Sequence, residues 1–120
     1  MHSERVHQSL IDIRDNVIRA RDFIGSMRFE EFANDLKTVY ATTRALEIVS
    51  EASRNLPDEL KSRHPGIDWV AVRDAGNVYR HAYEVVTEER VWDTITKSLT
   101  PLARAVAEEL ARFGGSAPKE

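Results

Sequence analysis

The chain has no cysteine among its 120 residues, and it has only five glycines and four prolines. Without a thiol, a disulfide framework, a thiolate zinc site and a cysteine nucleophile are all excluded. The scarcity of glycine and proline, together with 42% hydrophobic residues, is typical of a globular domain and not of a disordered chain. The length is that of one small domain, too short for a two-domain enzyme with its own cofactor fold, and we expect no cofactor.

Long apolar runs and a strong charge of one sign are also missing. The longest uninterrupted apolar run, Trp69–Val72, is far shorter than the roughly 20 apolar residues of a membrane-spanning helix. It is also shorter than the apolar core of a signal peptide. We therefore expect a cytoplasmic protein with no membrane contact. Seventeen Lys and Arg against twenty Asp and Glu give a formal net charge of −3. A mildly acidic chain is a poor non-specific nucleic-acid coat, so any contact with RNA is expected to be local.

The apolar residues that are present recur at helical spacing in every segment, and no alternating strand pattern occurs. The clearest stripe, with intervals of four and three, consists of Val6, Leu10, Ile13, Val17, Ala20 and Ile24. Further predicted helices share a cap or breaker at one end: a turn from about Arg28, a long helix to about Asn55, a short helix from Leu56–Pro57 to His64, one from Trp69 to about Val86, and others starting at Thr87 and Thr100.

These segments predict an all-α protein: an antiparallel helical bundle of four to five helices in a single domain, 1–113, followed by a flexible tail, 114–120. Ile11 and Ile18 lie off the main stripe of the first helix, which therefore has more apolar surface than one chain would bury. A homodimer is the simplest way to cover it.

The richest polar stretch lies on the helix that begins at Trp69. Arg73, Asn77 and His81 are four residues apart and share one helix face. Such a ridge is often no more than a solvated face. It also holds what phosphodiester cleavage needs without a metal, because a guanidinium can bind phosphoryl oxygens and an imidazole can move a proton near neutral pH. Gly76, which costs about 1 kcal/mol relative to alanine in mid-helix, indicates a close backbone approach, with the same helix of a partner chain as one candidate.

Several segments around this ridge give the chain a resemblance to the HEPN superfamily, specifically to its HepT-like proteins. The segments are the start of the long helix at Phe32, Leu46–Ala52, Ile67–Trp69, Asn77 with His81 and Tyr83, and Val91–Trp92. The resemblance implies a HEPN-like bundle, a homodimer and a metal-independent endoribonuclease acting at a dimer cleft. It also implies that the protein is the toxin of a type VII toxin–antitoxin pair whose antitoxin is a minimal nucleotidyltransferase.

The resemblance also implies roles for individual residues. His81 matches the catalytic histidine of the family motif, Asn77 the polar residue after the motif arginine, and Tyr83 the tyrosine to which the partner enzyme attaches adenylate. Gly76 stands where the family has its arginine, and we expect Arg73 to supply the guanidinium, from the same chain or across the dimer. The alternative is a catalytically degenerate binding module that partners a nucleotidyltransferase or binds RNA or nucleotide. In that case an arginine restored at position 76 is expected to create activity.

Three further cations are predicted to bind the RNA substrate, although a solvated loop is an equally open interpretation: Arg80 next to His81, and Lys61 and Arg63 ahead of Trp69.

The remaining titratable residues suggest no metal site. His2, His7 and His64 show no ligand spacing with carboxylates, so we expect no metal. Glu51 lies seven residues after Arg44 and shares its helix face. We expect an internal salt bridge between them at the centre of the bundle, with a role in shaping the RNA cleft as the alternative.

Overall fold

The computed structural model describes the backbone of residues 2–81 and 85–116 and the side chains of residues 3–76 and 88–113. These residues are helical throughout apart from turns and caps, and they include no strand, which confirms the all-α prediction. The elements, in chain order, are α1 (His2–Ile24), α2 (Phe29–Ala33), α3 (Leu36–Ser53), α4 (Asp58–Ser62), α5 (Trp69–His81), α6 (Val85–Asp93), a π-helical segment (Thr94–Ser98) and α7 (Leu99–Ser116). Across the described ranges, every helix is too short or too polar to cross a membrane.

Helices α1 and α3 form the centre of the bundle and pack against each other along their length. The stripe predicted for α1 is buried from Val6 to Ile24, and it meets the apolar face of α3 in the core. Gly25 adopts a φ of +54° directly after α1, a left-handed conformation that glycine reaches without strain. Asp35 starts α3, where its carboxylate accepts a hydrogen bond from the Thr38 N–H at 3.1 Å.

Helix α5 runs back along α3 in the antiparallel direction. It begins beside α4, where the Trp69 indole N–H donates to the carbonyl of Lys61 at 3.1 Å. It then packs against α3, and α6, which follows it, contacts α2 and α3 at the other end of the bundle. Trp92 of α6 meets the rings of Phe29 and Phe32 there, with centroids 5.7 and 5.5 Å apart. The direction of α5 therefore places its first turn near the C-terminal end of α3 and its last turn nearer the N-terminal end.

The C-terminal part of the chain differs from the prediction of separate helices starting at Thr87 and Thr100. Backbone helix is continuous from Val85 to Ser116, with the π-helical segment in between. Pro101 is the third residue of α7, and proline is tolerated in the first turn of a helix, so the backbone stays helical through it although it has no N–H to donate. Helix α7 continues to Ser116, beyond the predicted domain end at Phe113. The flexibility of the tail stays a prediction, since residues 117–120 lie outside the described part.

A buried carboxylate connects α7 to the segment that leads into α5. The Glu109 side chain is 2% exposed, and it accepts two hydrogen bonds from the Arg63 guanidinium, at 2.8 and 3.1 Å. The His64 Nε2 lies 2.7 Å from the same carboxylate. The hydrogen bond from Arg63 is the largest cause that lowers the pKa of Glu109 below its ordinary value. This cluster fixes the approach of the chain to α5.

Replacing Glu109 by glutamine tests this anchor. We expect Glu109→Gln to lower the free energy of unfolding by about 2–4 kcal/mol, because the amide puts an NH₂ group against donors that need a buried acceptor. The matched control is Glu108→Gln, whose carboxylate is 70% exposed and lies 3.8 Å from His64 Nδ1. The control should change stability by less than about 0.5 kcal/mol in urea denaturation. Equal effects of the two variants would contradict the anchoring role.

The same carboxylate predicts a dependence of stability on pH. The pKa of Glu109 is lower in the folded protein than its ordinary value of 4.5. Its contribution to stability is therefore fully present above about pH 4.5 and is lost as the pH falls through the folded-state pKa. We expect the difference in stability between the wild type and Glu109→Gln to shrink as thermal melts are taken from pH 6 towards pH 3, both pH limits being approximate. A difference that stays constant or grows over this range would show that the ionised form is not what stabilises the fold.

Candidate functional site

The first turn of α5, the helix that carries the predicted ridge, is held by its own cap as well as by the Glu109 cluster. The Asp68 carboxylate accepts a hydrogen bond from the Ala71 N–H at 3.0 Å, as expected for a helix that starts at Trp69. The Trp69 indole also reaches the carbonyl of His64 at 3.2 Å. The position of the ridge is therefore set at its start by a cap, an indole and an ion pair.

The middle of α5 is held by one hydroxyl group of α3. The Ser50 Oγ donates to the carbonyl of Arg73 at 2.7 Å and accepts from the N–H of Gly76 at 3.1 Å. Gly76 is buried in this contact, and a Cβ atom there would lie 2.8 Å from the Ser50 Oγ and 3.1 Å from its Cβ. Both distances are shorter than ordinary van der Waals contact. The predicted close approach at Gly76 is thus made with α3 of the same chain.

This contact gives a packing reason for the absence of the motif arginine at position 76. Position 76 faces Ser50 without room for even one carbon, so an arginine there would force α3 and α5 apart. The substitution that the sequence suggested as a rescue, arginine in place of Gly76, therefore tests packing as much as chemistry. Sequence reasoning missed Ser50 altogether. Its only signal was a small residue in the Leu46–Ala52 stretch, whose partner becomes evident only when the two helices are placed side by side.

The contact between Ser50 and Gly76 separates two cavities of different character. On one side is an apolar cavity of about 310 Å³ that reaches Val72 and Leu102. On the other side is a polar cleft of about 220 Å³ between α1, α3 and α5. Although the apolar cavity is the larger, its lining offers little to a charged substrate. The polar cleft is the better candidate for phosphodiester chemistry.

Charged side chains of both signs line the polar cleft. They are Asp12 of α1, Arg44, Glu47 and Glu51 of α3, and Arg54, the C-cap residue that directly follows α3. Within the cleft Arg44 binds Glu47 at 3.2 Å, and Arg54 lies 3.8 Å from Glu51. The predicted internal salt bridge between Arg44 and Glu51 is wrong, because each residue pairs with a neighbour three positions away and is largely exposed. The alternative, that Glu51 helps to shape a cleft, fits its position.

Arg73 was expected to supply the guanidinium that position 76 lacks. In the structure its Nε donates to the Asp74 carboxylate at 2.9 Å, on the exposed side of α5. This hydrogen bond is the largest cause that lowers the pKa of Asp74, and the charge of Arg54 on α3 lowers it further. Arg73 is therefore engaged with its neighbour, and its role in binding a phosphate stays a prediction.

The predicted basic contacts are not all brought together within one chain. Lys61 and Arg63 lie next to the first turn of α5, whereas His81 is in its last turn, about 18 Å further along the helix axis. Arg63 is also bound to Glu109. A part of these two residues in substrate binding stays a prediction.

The remaining predicted site residues fall at the edge of what the structure describes. The backbone of Asn77, Arg80 and His81 forms the last turns of α5, and their side chains lie outside the described residues, as does Tyr83 entirely. In the described part of the chain no three histidine or acidic side chains are grouped in a way that could hold a metal ion.

The helix order, the antiparallel core and the polar cleft beside α5 define a HEPN-like, all-α bundle. Residues 13–109 match the family described as Ribonuclease HepT-like, and the chain belongs to this family. The match runs from the middle of α1 into α7 and includes the whole of α5.

Named relatives resemble the chain over most of its length. A Methanocaldococcus jannaschii protein, named as a candidate RNase, is 33% identical over 115 residues, which are 96% of this chain and 95% of that protein. A Thermococcus cleftensis protein named probable ribonuclease HepT is 34% identical over 82% of this chain and 91% of its own length. A candidate RNase of Caldanaerobacter subterraneus is 32% identical over 74% and 80% of the two chains. No solved structure matches the chain.

The packing at Gly76 predicts an inverted effect of alanine. In most helix interiors Gly→Ala stabilises by about 1 kcal/mol, but here the added Cβ meets Ser50, and we expect Gly76→Ala to destabilise by about 1–2 kcal/mol. The control is Gly66→Ala, because a Cβ at Gly66 meets nothing within 4 Å. Chemical denaturation should show a change within about 0.5 kcal/mol for the control. A stabilising Gly76→Ala would mean that α5 does not approach α3 this closely.

Proposed function

We propose that the protein is a metal-independent endoribonuclease, the toxin of a type VII toxin–antitoxin pair, that acts through His81 at a dimer cleft. The observation that carries this proposal is the family match over residues 13–109, which spans α5 with Asn77 and His81. The names of the relatives support RNA as the substrate class. The polar cleft beside Gly76 supports a charged substrate on this side of α5.

The chemistry follows from the groups on α5. The 2′-oxygen of a ribose attacks the adjacent phosphorus while the bond from phosphorus to the 5′-oxygen breaks. The imidazole of His81 accepts the proton of the 2′-hydroxyl and returns it to the departing 5′-oxygen, a task that suits a group titrating near neutral pH. The Asn77 amide orients the phosphate, and Arg73, Arg80, Lys61 and Arg63 are the proposed cationic contacts. No metal or cofactor takes part in this scheme.

The proposed partners are a second copy of the chain and a minimal nucleotidyltransferase antitoxin. Large apolar side chains are exposed on α1 and α3, among them Ile18, which is 51% exposed, and Tyr40. This surface supports a homodimer, since apolar area of this kind is commonly covered in an assembly. Tyr83, two residues after His81, is the proposed site of adenylate attachment. A bulky anion next to the cleft would exclude RNA by volume and by repulsion.

A second candidate function is favoured by the packing at position 76. Gly76 cannot carry the motif guanidinium, and Arg73 is bound to Asp74. If no other cation replaces it, the protein is a catalytically degenerate module that binds RNA, nucleotide or a nucleotidyltransferase without cleaving. The two functions differ in one measurement, which is cleavage of RNA by the purified chain.

Cleavage of a labelled single-stranded RNA in excess EDTA tests the proposed activity. We expect the wild type to cleave, and His81→Ala to lose at least about 100-fold in rate, the usual contribution of a general acid–base group. The control His7→Gln replaces a histidine whose ring stacks on Phe113 at 4.6 Å, and it should cleave like the wild type. Cleavage by His81→Ala at the wild-type rate would reject the proposed mechanism. Binding of RNA by the wild type without cleavage would establish the second candidate instead.

A further inference from the structure

We propose that Arg44 of α3 and Arg54 at its C-cap supply the phosphate-binding guanidiniums that position 76 cannot carry, so that RNA enters the polar cleft beside Gly76. The inference rests on RNA as the substrate class of the proposed function. It places the cationic contacts on α3, outside the segment in which the motif arginine is normally sought.

The two guanidiniums lie at the two ends of one charged helix face. Arg44, Glu47, Glu51 and Arg54 follow one another at intervals of three, four and three, and all four line the polar cleft. Ten residues separate the two arginines, which is about 15 Å along α3. Gly76 approaches α3 between them, at Ser50. The cleft therefore has a cation at each end and the glycine backbone of α5 at its middle.

Both arginines are available to a ligand. The Arg44 side chain is 71% exposed and that of Arg54 is 41% exposed. Arg44 donates a hydrogen bond to Glu47 at 3.2 Å, and Arg54 lies 3.8 Å from Glu51, which is longer than a hydrogen bond. Exposed ion pairs of this kind are weak. Arg73, by contrast, is hydrogen-bonded to Asp74 at 2.9 Å. A phosphate can therefore take the place of Glu51 on Arg54 more readily than it can displace Asp74 from Arg73.

Both arginines also line the cleft to which Gly76 of α5 contributes. The charge of Arg54 lowers the pKa of Asp74, which shows that the two residues are close enough to interact. Because α5 runs antiparallel to α3, Arg44, which precedes Ser50 by six residues near the middle of α3, lies on the side of the Ser50 contact that is towards the last turn of α5, which contains His81. Arg54 thus lies near Asp74, and Arg44 lies further along the cleft in the direction in which α5 continues.

The carboxylates of the same cleft allow a test in which a structural role and a phosphate-binding role of the arginines predict different changes in RNA affinity. Asp12, Glu47 and Glu51 repel a phosphate, and Glu51 competes with it for Arg54. If the arginines only stabilise the fold through their pairs, neutralising Glu51 leaves RNA binding unchanged or weakens it. If Arg54 binds phosphate, neutralising Glu51 removes a competitor and tightens binding.

The experiment measures binding of a fluorescent single-stranded RNA by anisotropy, at several salt concentrations, in the His81→Ala background to prevent cleavage. We expect Arg44→Gln and Arg54→Gln each to weaken binding about tenfold, as loss of a charge-assisted phosphate contact does. Each should also reduce the slope of log K against log salt by about 0.7. Glu51→Gln should tighten binding about threefold, a change of the size expected for one nearby charge.

The matched control is Arg14→Gln, which removes the same charge from an exposed arginine paired with Asp15 at 3.1 Å. Arg14 is two residues from Asp12 on α1, so it points away from the cleft, and binding should change less than about twofold. Arg54→Lys keeps the charge and should retain most of the affinity. If Arg54→Gln unfolds at a lower temperature than the wild type, Arg54→Lys is the folded variant with which the role of the charge is measured.

Two results would overturn this inference. If the glutamine variants of both cleft arginines bind like Arg14→Gln, or if Glu51→Gln leaves binding unchanged or weakens it, the cleft is not where RNA binds. When the native chain nevertheless cleaves RNA, only this inference fails and the proposed function stands. When the native chain neither binds nor cleaves RNA, both fail.

Discussion

The close contact between Ser50 and Gly76 determines where α5 lies, and with it every group of the candidate site. One hydroxyl bonds to both a carbonyl and an N–H of α5, at 2.7 and 3.1 Å, at a point where neither helix has a large side chain. The bond geometry leaves no room for a Cβ at position 76. Close backbone contact and a long side chain at that position exclude each other. Packing against Ser50 therefore limits which residue can occupy position 76, whatever the chemistry of the site requires.

This constraint acts together with the anchor at the start of α5. Glu109 binds Arg63 and His64, and the Trp69 indole binds the carbonyls of the same segment. One anchor fixes where α5 begins, and the Ser50 contact fixes how close its middle comes to α3. Two fixed points leave a helix little freedom of tilt or translation. The last turn of α5, with the backbone of His81, then follows from the regular geometry of the helix.

The sequence predicted the parts of this structure that local signals determine. Gly25 placed the end of α1, and Asp68 placed the start of α5, because a cap and a helical period are properties of neighbouring residues. The continuity of Val85–Ser116 was missed because Thr87 and Thr100–Pro101 resemble helix starts, and the π-helical segment that joins α6 to α7 has no sequence signature. The Arg44–Glu51 pair was wrong because helical spacing also offers partners three residues away. The Ser50 contact joins residues 26 apart, and no local pattern indicates it.

The position of charge in the cleft follows from the same constraint. Where residue 76 contributes only backbone, any cation on that side of α5 must come from a neighbouring element, and α3 is the element that the Ser50 contact brings nearest. Its face carries two arginines, each held by a carboxylate three residues away. An exposed arginine beside a carboxylate keeps its charge while its partner can be exchanged for another anion at little cost. A cleft built in this way has no net attraction for anions at long range, but it can bind a phosphate that enters and displaces the carboxylates. That behaviour suits an acidic protein whose contact with RNA has to be local, and it makes binding depend on a few side chains of α3 more than on the overall charge of the chain.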